Sequence, residues 1–217
     1  MHISAHQALH LLQQSATGTL ATLACGSSGY PYPTLLPFAC DVTHAPLILV
    51  SALAEHTQNL RADPRAGWLV HAQQGEDVLS AARLTVLGEF QAYQPSALAL
   101  ARYLRYQPQA QRYLDLGDFA FYRMQPERLR YIGGFATMGW LTAQDWDALE
   151  HLSDISEAQL VGELTKALGP GTELLGVDCF GADLRIGKIR HRLKLDKPIG
   201  LPDLLLTTLA RVLNQVV

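Results

Sequence analysis

Leu47-Ile-Leu-Val-Ser51-Ala-Leu-Ala-Glu-His56-Thr57-Gln-Asn59-Leu60 runs from a short apolar block, through Ser51, into the polar start of a helical pattern. Apolar residues bounded by turn formers read as a buried strand, and Ala54 to Arg61 reads as a short helix closed by Asp63-Pro64. A helix N-terminus carries unpaired N–H groups and the positive end of a dipole, so it suits a phosphate. Ser51, His56 and Thr57 put donors beside that end. A second strand, Ala66 to His71, follows. Arg83, inside Ala-Ala-Arg83-Leu-Thr85-Val-Leu-Gly88, is then expected to arrive from an adjacent strand as a planar clamp. The competing reading is that these residues only cap and turn the chain.

Working outward, Ser4 reads as the N-cap of a first helix whose inner face carries Ala8, Leu11 and Leu12. Thr19 to Ala24 alternates as a half-buried strand. Pro31 to Phe38 returns extended, its three prolines marking an edge. A long strand runs from Arg83 to Tyr93, a helix starts near Pro95, and a short one spans Gln109 to Leu114. Phe119 to Met124 and Leu129 to Ile132 read as two further strands. Short strands with few helices predict an antiparallel barrel over residues 1–140. Beyond a short linker near Trp140, the boxes Thr142-x-x-Asp145 and Ser156-x-x-Gln159 predict two helices. A strand pair (Leu174 to Phe180 and Leu184 to Leu195) and a final helix (Pro202 to Gln215) complete a separate α+β module over 141–217. The fold class read from the sequence is mainly β plus α+β: a closed or nearly closed antiparallel β-barrel, which the resemblance described below makes a split β-barrel, followed by a small C-terminal α+β domain.

Composition narrows the function. At 217 residues, 48% hydrophobic and 17% charged, the chain is a folded globular protein. A formal net charge of −3 gives no push toward nucleic acid, and no apolar stretch reaches the length of a bilayer-spanning helix. No secretory pattern opens the chain, and Cys25, Cys40 and Cys179 are widely spaced, which predicts a reduced, cytoplasmic setting. All four lysines lie from Lys166 onward. An anion in the barrel must therefore be held by Arg, hydroxyls, His or backbone N–H groups.

The histidines make no zinc pattern. His2, His6 and His10 share helical spacing, which a solvated face explains. The basic run from Arg185 to Lys197 reads first as the solvent face of a strand and second as an anion-binding surface. Phe119, Phe121, Tyr122 and Tyr131 read as core or subunit interface. No G-x-S-x-G, Walker A or G-x-G-x-x-G pattern is present.

The order of motifs resembles the pyridoxamine 5'-phosphate oxidase-like, FMN-binding split-barrel superfamily, in particular its haem-iron utilisation branch. The residues that carry the resemblance are Gly18 to Leu23, Gly29-Tyr-Pro-Tyr-Pro33, Leu49 to Leu60, Asp63-Pro-Arg-Ala66, Ala82 to Gly88, Phe121-Tyr122-Arg123 and Gly133-Gly-Phe135. Val177-Asp-x-x-Gly181-Ala-Asp183-Leu and Arg192-Leu-x-Leu195 resemble the small domain fused to such barrels. The resemblance implies a homodimer enclosing flavin or haem sites at its interface. It implies FMN contacts at Ser51, His56, Thr57 and Asn59, with Arg83 from the following strand, and FMN-dependent oxidoreductase chemistry. Its alternatives are a haem-binding or haem-degrading protein using the dimer cleft, with His151 or His191 as iron ligand, and a non-catalytic dimeric binding module. No nucleic-acid or membrane partner is implied.

Overall fold

The computed structural model describes residues 3–26, 29–72, 81–134 and 137–216, with side chains as far as Leu213. Residues 73–80 between the second strand and Arg83, and Phe135, lie outside them. Helix α1 (Ala5–Gln14) starts at Ser4, whose hydroxyl accepts from the His6 N–H at 3.2 Å. Strands β1 (Thr17–Leu23), β2 (Pro31–Pro37), β3 (Ala39–Cys40) and β4 (Pro46–Ser51) follow, then α2 (Glu55–Ala62), β5 (Arg65–His71) and β6 (Arg83–Tyr93). Helices α3 (Ala97–Tyr106) and α4 (Gln111–Leu114) lead to β7 (Phe119–Ile132) and β8 (Met138–Thr142). These strands form one 8-stranded antiparallel sheet in the order β2-β1-β5-β6-β7-β4-β3, with β8 also on β7. β2 and β3 are consecutive in the chain, joined at Phe38, so the sheet curls back on itself there.

Alternation fills the inside of the curl. Leu20, Trp68, Leu84, Val86, Phe90 and Met124 are all 0–1% exposed, and Phe38 packs edge-on against Trp68 at 5.0 Å between ring centres. A bulge between Leu87 and Gly88 shifts the β6–β7 register. Glycine is required there, because a Cβ would lie 2.1 Å from the Gln125 carbonyl oxygen. The interior is solid side chain.

After Thr142, α5 (Ala143–Asp147) begins with the expected reciprocal Thr142–Asp145 capping box. Then come α6 (Asp154–Thr165), the 3-stranded antiparallel sheet β9 (Thr172–Asp178), β10 (Gly181–Ile186), β11 (Ile189–Lys194), and α7 (Pro202–Val216). Four expectations are corrected. Phe119 to Ile132 is one continuous strand, not two. The linker near Trp140 is strand β8, so the expected boundary at 140/141 falls inside a barrel strand. Helix α6 is capped by Ser153, not Ser156. The second C-terminal strand folds at Gly187, which adopts φ +61, into the hairpin β10–β11.

The α+β region shares its core with the barrel: Leu9, Leu12, Phe180, Leu184 and Leu205 belong to the same buried cluster as Trp68. A chain of buried ions crosses the junction. Arg102 on α3 is 2% exposed and donates to the Cys40 carbonyl at 3.0 Å and to Glu157 of α6 at 2.6 Å. Arg105 grips the same carboxylate at 2.6 and 2.8 Å. Tyr106 donates to Asp183 at 2.6 Å, and Arg192 spans Asp183 at 3.1 Å and Asp178 at 2.9 Å. The basic run is therefore not a uniform solvent face: the Arg192 side chain is 0% exposed and Arg185 and Arg190 are half-buried, whereas Lys188, Lys194 and Lys197 are exposed. Burial opposes the charge on Arg192, but Asp178 and Asp183 outweigh it and raise its pKa. The Arg192 Nε–H donates to His10 Nδ1 at 3.1 Å.

Two predictions follow from this junction. Glu157→Leu leaves Arg102 buried without its carboxylate and should cost roughly 3–5 kcal/mol in chemical denaturation. His10 is pushed down to about 4 by burial first and by the charges of Arg192 and Lys194 next. The unfolded chain takes up this proton near 6.5 and the native one only near 4, so stability is full above that window and falls as pH drops through it. His10→Gln keeps an acceptor for Arg192 and should flatten part of the acid limb between pH 6.5 and 4. Buried His44 and half-buried His56, also lowered by burial, retain the remainder. Denaturation midpoints measured against pH check this.

Candidate functional site

The sequence-predicted residues gather at two places. At the first, β4 ends in Ser51 and α2 begins without a side-chain cap, because its N-cap is Ala54. The Ser51 hydroxyl is already engaged: it donates to Asp118 at 2.5 Å and accepts from the Leu53 N–H at 3.1 Å. Asn59 is 0% exposed and ties α2 to β1, accepting from the Cys25 N–H at 2.9 Å and donating to the Thr22 hydroxyl at 3.0 Å. Thr57 is 1% exposed, and neither its Oγ1 nor the enclosed His56 Nε2 has a partner. The carboxylates of Asp118 and Glu55 flank this helix start, and both repel a dianionic phosphate.

Arg83 lies elsewhere. β4 pairs Ser51 with Phe119, the first residue of β7, whereas β6 pairs Arg83 with Ile132, its last. β7 is 14 residues long, which separates the two by on the order of 40 Å of extended chain. An anion cradle uniting Arg83 with Ser51 is not assembled within one copy of the chain. The sequence puts both residues near strand ends, but strand order alone does not say which ends coincide.

Arg83 opens the second place, the outward face of β5–β8. Strand registers align Thr19, Leu69, Thr85, Arg130 and Trp140 in one row across this face. Ala21, Gly67, Leu87, Arg128 and Thr142 form the next row. Leu69, Leu87 and Trp140 are 38%, 39% and 47% exposed, an apolar platform on a sheet whose other face is packed. The guanidinium carbons of Arg128 and Arg130 lie 4.4 and 5.5 Å from the Trp140 ring centre. His71, the register partner of Arg83, lies at the margin with its Nδ1 3.0 Å from the Ala72 carbonyl. That bond makes Nδ1 the donor, so the neutral ring carries its lone pair on Nε2. His151 and His191 are exposed on the C-terminal region, in the loop before α6 and on β11. Sequence reasoning missed Leu69, His71, Leu87, Arg128, Arg130 and Trp140 as a group. Their signal was apolar residues on the outward positions of alternating strands.

Among the described residues, no cluster of His, Cys, Asp or Glu is placed to hold a bare metal ion, and no helix is long and apolar enough to cross a membrane. Cys25, Cys40 and Cys179 are free thiols.

Comparison with known proteins gives the following. The chain is 36% identical over 129 residues to the non-canonical haem oxygenase HOZ, chloroplastic, of Arabidopsis thaliana, covering 58% of this chain and 39% of that one. It thus spans about two fifths of that relative's length. The structure of a haem binding protein from Mycobacterium smegmatis is 26% identical, with a TM-score of 0.64 over 99% of both chains. Protein Atu2129 of Agrobacterium tumefaciens is 24% identical with a TM-score of 0.75 over 94% of both, which shows the same fold across barrel and C-terminal region together. The model of the CREG beta-barrel family matches residues 1–148, the stretch from α1 to the end of α5, and this chain belongs to that family of split barrels.

Proposed function

We propose that the chain binds haem between the outward β5–β8 faces of two copies. The observation that carries this reading is the platform itself. Haem is a flat apolar disc with two carboxylates, and the face pairs exposed Leu69, Leu87 and Trp140 with Arg83, Arg128 and Arg130. Gly67 and Ala21, small residues within the platform, leave room for close approach of a ring. The residues present fit the group. The haem names of the Arabidopsis and Mycobacterium relatives support the same reading.

When bound, haem supplies redox chemistry at its iron, with the axial ligand and surroundings setting the potential. The chain's residues do the rest. Leu69 and Leu87 would exclude water, Arg83, Arg128 and Arg130 would hold the propionates as charge-assisted donors, and His71 Nε2 would offer a nitrogen oriented by its Nδ1 bond. A second copy would cover the disc and remove the platform from solvent.

A flavin reading rests on the other place, where the uncapped α2 N-terminus adjoins the unpartnered Thr57 Oγ1. In a pair of copies, Arg83 of one would have to approach Ser51 of the other to complete that cradle. Asp118 and Glu55 weigh against a phosphate there.

Titration with haemin should produce a Soret band saturating at one haem per two chains, and titration with FMN should change neither spectrum nor melting temperature. His71→Ala should shift or broaden the band, whereas His151→Ala and His191→Ala should leave it in place. Leu87→Glu should lower haem affinity at least about tenfold and convert a dimer to a monomer in sedimentation. A Soret band indifferent to Leu87→Glu would sink the reading, and saturable FMN binding lost in Thr57→Val would favour the flavin.

A further inference from the structure

Where the hairpin β10–β11 meets the end of β5 and the C-termini of α1 and α3, a cleft of about 540 Å³ opens. Such a volume is in the range of small-molecule sites. Its walls include Arg185, Lys188, Arg190 and His71, and among the described residues no Asp or Glu lines it. Leu11, Leu175 and Ile189 supply an apolar part.

Charge bookkeeping singles out one of these residues. Arg102 and Arg105 meet Glu157, Arg192 meets Asp178 and Asp183, and Arg185 meets Glu173. Arg190 is half-buried and, among the described residues, makes no ion pair with a carboxylate. Its Nη1 and Nη2 donate to the carbonyls of Ser15 at 2.6 Å and Tyr106 at 3.3 Å, and its guanidinium carbon lies 4.9 Å from the Tyr106 ring centre. Carbonyls orient a cation but do not neutralise it. Nε–H of Arg190 stays available to a further acceptor. Burial depresses the Arg190 pKa against the opposing pull of Tyr106 and the Asp183 carboxylate, and an arriving anion would add to that pull. Lys188 stands exposed in the hairpin turn beside the same opening.

We propose that this cleft binds a small organic oxyanion, a phosphate- or carboxylate-bearing molecule whose charge completes Arg190 with help from Lys188 and Arg185. The enclosure favours a small molecule over a nucleic acid, which would need an open groove with exposed stacking platforms. The site is separate from the haem platform in its cations and approaches it only at His71. It stands or falls independently of haem binding.

The test uses the full chain without haem. Calorimetric titration with inorganic phosphate and with citrate, at ionic strength held constant with chloride, should give saturable binding for at least one, and their ratio assigns phosphate or carboxylate. Lys188→Glu, a change at an exposed position, should weaken that binding about tenfold or more while leaving a haemin titration unchanged. Arg190→Gln should abolish it, with circular dichroism confirming the fold; if this variant does not fold, Lys188→Glu decides. Equal heats from chloride alone, or binding untouched by Lys188→Glu, would overturn the proposal.

Discussion

Glu157 accepts from two arginines of α3 inside the protein, and on that contact the placement of the whole C-terminal layer depends. A carboxylate and two guanidiniums removed from water gain little net stability over an apolar core, because desolvation offsets most of their attraction. What they impose is geometry. Glu157 meets Arg102 and Arg105 only if α6 lies across α3 in one orientation, and Asp183 meets both Tyr106 and Arg192 only if the second sheet lies flat on the same helix. Apolar packing alone would tolerate sliding between the layers. The ion chain does not.

The same contact shapes the surfaces. Because Arg192 is drawn inward to Asp178 and Asp183, alternation along β11 turns Arg190 toward the same side, where no third carboxylate waits. The cleft between barrel and hairpin is a by-product of that arithmetic, and its positive lining follows from it. On the opposite side of the strand, His191 is turned out to solvent.

Much of the barrel was legible because its strands alternate cleanly and are punctuated by Gly and Pro. Ser4 and Thr142 capped helices as their side chains predict. Length was harder to read: Pro126 and Glu127 interrupt the apolar pattern of β7, yet pairing with β6 on both sides of the bulge, from Phe121 to Pro126 and from Arg128 to Ile132, carries the strand through them. Asn59 looked like a ligand donor and is a buried tie, since one sequence cannot say whether a polar residue's partner is a cofactor or its own backbone. The ion chain had a signal that composition hides. Arg102 shares a helical stripe with Ala99, Tyr103 and Tyr106, and a charge on an apolar stripe announces a buried partner. Its carboxylate partner Glu157 lies 55 residues away, beyond any local pattern.

A packed interior also limits where chemistry can occur. Trp68, Phe38 and Phe90 fill the barrel, with ring centres 5.0 and 5.8 Å apart, so no cofactor can enter it. Two surfaces outside the packed interior offer room for a ligand: the outward sheet face and the junction with the C-terminal layer. The two surfaces differ in kind: one is an open apolar platform with arginines, incomplete until something flat or another copy covers it, and the other is an enclosed cationic cleft. They converge at the end of β5, where His71 faces both. A ligand on the platform that engages His71 therefore alters one wall of the cleft, and a ligand in the cleft alters the field around His71. Coupling between the two sites, if both fill, must run through that imidazole and be equal in either direction.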